Sequence, residues 1–149
     1  MLVVAVVAYV EGRLLLGTAP ATGTVSLSGS TLTPAQLAGR TALALAYMVV
    51  CMLGVAAVAL FLSTVSSSSI GAALGTVGFL IASTVLLGLD GAQALHPFLP
   101  TRYWLAFVDL FRDPILWGDV LRGLAVQVGY LVVFSLAAWA NFATSDVDG

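Results

Sequence analysis

Few side chains in this sequence could do chemistry, and their surroundings decide which chemistry that would be. His96 is the single histidine, and it stands beside Pro97. A lone imidazole at the end of an apolar stretch reads as a helix-capping or interfacial group before it reads as a metal ligand or acid–base catalyst. Cys51 is the single cysteine, so no intrachain disulfide forms, and its apolar neighbours make it a small packing residue. Asp90, Asp109, Asp113 and Asp119 gather within residues 90–120 and raise the question of a cation site. Their spacing favours a plainer reading: Asp109 precedes Arg112 by three positions, an ion-pair spacing on a helix, while Asp113 and Asp119 suit helix caps. The serine run 66–69 has no base nearby in sequence, so nucleophilic catalysis is not expected there. HExxH, CxxC, GxSxG and Walker A patterns do not occur. The reading is of no catalytic residue, no metal site, no cofactor and no enzyme.

The elements carrying these residues belong to lipid rather than water. Residues 41–62 run twenty-two positions without a charge. As a helix they extend about 33 Å, matching the roughly 30 Å hydrocarbon core of a bilayer. The chain is 60% hydrophobic and 8% charged, where a soluble domain carries about 25% charged residues. It holds five basic residues, all arginine and scattered, which excludes a nucleic-acid footprint.

Spans are expected at about residues 2–17, 38–63, 70–89 and 121–142, in one transmembrane domain over 1–149. The first is short and interrupted by Glu11 and Arg13, which would lie near a membrane boundary or face protein. A cleaved signal peptide is its rival, since Ala19-Pro20-Ala21 resembles a small-residue cleavage site, but no basic residue precedes the apolar stretch. Residues 18–32 read as a loop with room for short extended pieces. Thr33-Pro34-Ala35-Gln36 reads as a helix start with a capping box. In the third span Gly71 and Gly75 form a GxxxG pair, and Gly78 and Ala82 extend the small face. That face could serve contacts within the chain, a second subunit, or nothing special; contact within the chain is the expectation.

Residues 90–120 differ in kind. Pro97, Pro100, Tyr103, Trp104, Asp109, Arg112, Pro114 and Trp117 mark an interfacial or re-entrant segment. Residues 101–111 read as one short amphipathic helix, with Trp104, Phe107, Val108 and Phe111 on its apolar face, and interfacial helices extend over about 101–118. The fold class is therefore all-α, a polytopic transmembrane helical bundle with short interfacial or re-entrant helices.

Several strings resemble one family. AYMVVCMLGVAAVALFLSTVSSSSIGAALGTVGFLIAS and LHPFLPTRYWLAFVDLFRDPILWGDVLRGLAVQVGYLVVF are similar to the carboxy-terminal half of ABC-type permeases of the type-2 exporter class. HPFLPTRYWLAFVDLFRDPILWGDVLRG is the most specific part, and SLSGSTLTPAQL fits the connection before the fourth span of such proteins. The resemblance implies six spans per subunit, a second permease subunit, a cytoplasmic ATP-binding subunit that drives transport, and residence in the cell (plasma) membrane. On this alignment Met1 falls within the third span, so the chain reads as truncated at its amino end, a fragment, or one product of a split gene. The family orientation puts the serine turn in the cytoplasm and residues 90–120 outside. Arg102, Arg112 and Arg122 would then be external, against the positive-inside rule. The alternative function is a small multi-span membrane scaffold or interaction protein without transport activity.

Overall fold

The computed structural model describes residues 24–145. The expected first span, Glu11, Arg13 and the acidic tail end lie outside the described residues. The described chain is all-α apart from a two-stranded antiparallel hairpin, with β1 at Thr24–Val25 and β2 at Thr31–Leu32. Gly29 turns this hairpin with φ +84°, a left-handed conformation that glycine adopts without a Cβ clash.

Helix α1 spans Pro34–Val65. Its capping box forms as expected: Gln36 N–H donates to Thr33 Oγ1 at 3.2 Å, and Thr33 N–H to Gln36 Oε1 at 3.0 Å. Helix α2 spans Ser69–Leu87, and Ser68 caps it by accepting from Gly71 N–H at 3.0 Å. Helix α3 spans Trp117–Ser145. Their lengths correspond to about 48, 29 and 44 Å. All three are long and apolar enough to cross a membrane.

Along α1 the buried positions Ala44, Tyr47, Cys51, Gly54 and Val58 recur at intervals of three and four. On α3 Val120, Gly123, Gln127, Phe134 and Ala138 continue the same rhythm. Such spacing keeps one face of each helix turned to its partner over several turns, and α1 and α3 form the main seam of the bundle. Farther along, Phe61, Phe79, Tyr130 and Phe134 join all three helices. Phe61 and Phe134 centroids lie 5.6 Å apart and Tyr130 stacks on Phe134 at 5.5 Å. At that end Asn141 Nδ2 donates to Thr64 O at 2.8 Å, meeting one of the last carbonyls of α1.

Between α2 and α3 the chain makes 3-10 turns at Asp90–Ala92, His96–Phe98, Pro100–Tyr103 and Ala106–Phe111. The expected single helix over 101–111 does not form. An α-helix would pair Pro100 O with Trp104 N–H and Tyr103 O with Phe107 N–H. Here Trp104 N–H bonds Thr101 O instead, and both carbonyls accept from other helices, as described below. The expected apolar face shifts with the backbone. Tyr103, Ala106 and Leu110 are buried, while Trp104, Phe107 and Phe111 pack at the margin. Trp117, expected in this segment, opens α3 and is exposed.

Candidate functional site

Three polar side chains inside the bundle, one from each helix, converge on this segment of 3-10 turns. Tyr47 of α1 donates its hydroxyl to Tyr103 O at 2.8 Å. Gln127 of α3, with no exposed surface, donates Nε2–H to Pro100 O at 3.0 Å. Ser83 of α2 shares a 2.7 Å hydrogen bond with Thr101 Oγ1. Each helix therefore supplies one side chain to this segment of short turns. Buried carbonyls left unmet cost about 1–3 kcal/mol each, so these bonds decide where the segment rests.

The helix backbones come close enough for this because two glycines stand on the α1–α3 seam. A Cβ at residue 123 would run into the Tyr47 hydroxyl and come within 2.7 Å of Tyr103 Cβ. A Cβ at residue 54 would run into Gln127 Oε1. That oxygen is buried and has no hydrogen-bond partner among the described residues; it faces the Gly54 Cα, where only a weak C–H contact is on offer.

His96 takes the capping role expected of it. Its Nε2 lies 3.0 Å from Leu86 O in the last turn of α2. A carbonyl only accepts, so Nε2 carries the proton. Asp109 and Arg112 form the expected pair at 2.8 Å.

Asp113 does not cap a helix. Its carboxylate accepts from Ser30 Oγ at 2.9 Å and lies 3.6 Å from Arg40 Nη2, while its N–H donates to Ser28 Oγ at 3.0 Å. Arg40 also donates from Nη1 to Arg112 O at 2.8 Å, and Leu27 N–H to Phe111 O at 3.2 Å. The β-hairpin and the head of α1 are thus buckled onto the end of the 3-10 segment, next to Pro114, whose peptide bond is cis. Pro97 and Pro100 sit at the starts of their turns, where their missing N–H groups cost nothing. Arg102 stacks over the Tyr103 ring at 5.8 Å.

The stripe Gly71, Gly75, Gly78 and Ala82 is brought together on α2 but not turned into the bundle. All four are exposed, and the inward positions of α2 are Ala72, Thr76 and Ser83. Thr76 satisfies its own hydroxyl on Ala72 O at 2.9 Å and so behaves as a small packing residue. Among the described residues the stripe makes only end contacts. A Cβ at 71 would meet Ser66 Oγ at 2.7 Å, one at 75 would meet Leu62 Cδ1 at 3.3 Å, and one at 78 would meet nothing within 4 Å.

Gly54, Gly123 and Gln127 were not singled out by motif. Their signal was the three-and-four spacing on two distant helices, visible only once the helices are paired. Among the described residues no group of three His, Cys, Asp or Glu stands together to hold a metal ion. The arrangement is one of positioning, with one side chain from each of three helices holding a short segment of 3-10 turns. Compared with known protein families, curated proteins and solved structures, the chain matches none.

Proposed function

We propose that this chain is a membrane-embedded permease subunit of an ATP-binding-cassette transporter of the type-2 exporter class. In this reading it lies in the cell (plasma) membrane and forms part of the substrate path with a second permease subunit. A separate cytoplasmic ATP-binding subunit drives it. The observation that carries the reading is the seating of the 3-10 segment by Tyr47, Ser83 and Gln127. Non-helical backbone survives at membrane depth only where protein meets its hydrogen-bonding groups. The outward surfaces agree, since Leu60, Ile70, Leu74, Val133 and Leu136 all point away from the bundle and suit lipid.

The work of such a subunit is conformational. The helices α1 and α3 form a wall, and the 3-10 segment closes one end of it. Three side-chain hydrogen bonds and one buckle of charged groups hold the closure, few enough to be exchanged when a partner pushes on the helices. The bond-breaking chemistry belongs to the ATP-binding subunit.

Co-purification tests this. The detergent-solubilised chain is expected to bring down an ATP-binding subunit from its native membrane and to stimulate that subunit's ATP hydrolysis after reconstitution. Recovery of intact complexes containing only other membrane proteins would replace the permease with the scaffold reading.

A further inference from the structure

Two buried side-chain polar atoms stand without a hydrogen-bond partner among the described residues, Trp104 Nε1 and Gln127 Oε1. An indole N–H only donates and a carboxamide oxygen only accepts. Each is an unmet demand of a kind that folded proteins rarely tolerate. Both stand at the same end of the 3-10 segment. Gln127 holds the Pro100 carbonyl through its nitrogen, and Trp104 directly follows the Pro100–Tyr103 turn. Phe98 and Leu105, on either side of that turn, are 68% and 73% exposed, so its outer side has little to grip. The other end is furnished differently. Leu110 is buried, Arg40 holds the Arg112 carbonyl, and Ser30 donates to the Asp113 carboxylate. No orphaned buried side-chain atom lies there among the described residues.

The geometry points to a hinged closure. The Pro100–Trp104 turn lifts from its seat while Leu110 and the Asp113 buckle stay in place, and lifting gives Trp104 N–H and Gln127 Oε1 to water. Water is close by, since the hollow beside Tyr103 is lined by Arg102, Asp109 and Asp119. Seating keeps three side-chain hydrogen bonds and withholds two groups from water. Lifting reverses both. A bond lost on lifting is mostly replaced by bonds to water, whereas a buried unmet group has no replacement. The two arrangements therefore lie close in free energy, and a modest push on α1 or α3 selects between them. The inference deepens the reading of the segment as a movable closure and rests on it, but it does not depend on any ATPase.

Amide hydrogen exchange of the intact chain in detergent, resolved to single residues, tests it. The N–H groups of Arg102, Trp104, Val108 and Arg112 each bond a carbonyl three residues earlier, so they report the two ends of the segment alike. Arg102 and Trp104 are expected to be about tenfold less protected than Val108 and Arg112, after correction for intrinsic rates. Replacing Trp104 with 3-benzothienylalanine puts sulfur in place of the N–H at almost unchanged volume. That change should slow exchange at residues 102 and 104 about tenfold, within the penalty of one unmet buried donor, and leave Val108 and Arg112 as they were. Gln127→Met deletes the bond to Pro100 and the unmet oxygen together, so the same amides should move by less than about threefold. Equal protection at both ends would overturn the hinge. Unchanged or faster exchange in the sulfur analogue would overturn the bias, by showing that the N–H costs nothing in the seated state or already has a partner there. So would a tenfold acceleration in Gln127→Met. Recovery of the chain without an ATP-binding subunit would leave all these rates untouched, so failure of the permease reading is a separate result.

Discussion

Two sets of glycines divide the molecule. Those of α2 form the recognisable GxxxG pattern, yet they look outward and meet little among the described residues. Those of the α1–α3 seam, Gly54 and Gly123, belong to no such motif and sit where any added carbon collides with a neighbour. The difference teaches that spacing within one helix identifies a small face but not the surface that face meets. What makes a glycine indispensable is the residue opposite, here a tyrosine hydroxyl and a glutamine carboxamide.

Substitutions can break or sharpen that contrast, each read as a shift in reversible unfolding followed by helical circular dichroism in detergent. Gly123→Ala should be the most damaging, by about 3 kcal/mol, because its methyl meets Tyr103 Cβ close to the backbone and α3 has to move off α1. Gly54→Ala should cost about 1–2 kcal/mol, since the Gln127 carboxamide can swing aside only by giving up Pro100 O. Tyr47→Phe should cost about 0.6–1 kcal/mol, the range for one interhelical hydrogen bond in lipid or in water. Gly78→Leu should change the isolated chain by under about 0.5 kcal/mol, as exposed substitutions do. A Gly78→Leu loss as large as that of Gly123→Ala would erase the distinction between the two sets. A normal monomer that no longer pairs with a second subunit would sharpen it, by giving the α2 stripe a partner outside the chain.

Much of this architecture was legible in the residues. The Thr33-Pro34-Ala35-Gln36 start, the serine turn and the three long apolar helices follow from local rules, because caps and uncharged runs act over a few positions. The Asp109–Arg112 pair and the capping role of His96 were legible for the same reason. Residues 101–111 were misread because helical periodicity assumes that each carbonyl looks to its own chain four residues on. Pro100 and Tyr103 look instead to Gln127 and Tyr47, which lie 27 and 56 positions away. Asp113 was misread in the same way, because its partners Ser28, Ser30 and Arg40 come from the far end of the described chain. The inward face of α2 was hidden by a third effect: Thr76 and Ser83, polar by type, become small neutral surfaces once their hydroxyls are engaged.

The buckle at Asp113 sets a timetable for biosynthesis. Arg40 leaves the ribosome 72 residues ahead of the Arg112 carbonyl it will bind, an interval of about 4–15 s at ordinary elongation rates. Throughout that delay a guanidinium waits at the head of the first long helix with neither its carboxylate nor its carbonyl yet made. Water meets that guanidinium in the meantime, and it surrenders those contacts when the last loop emerges.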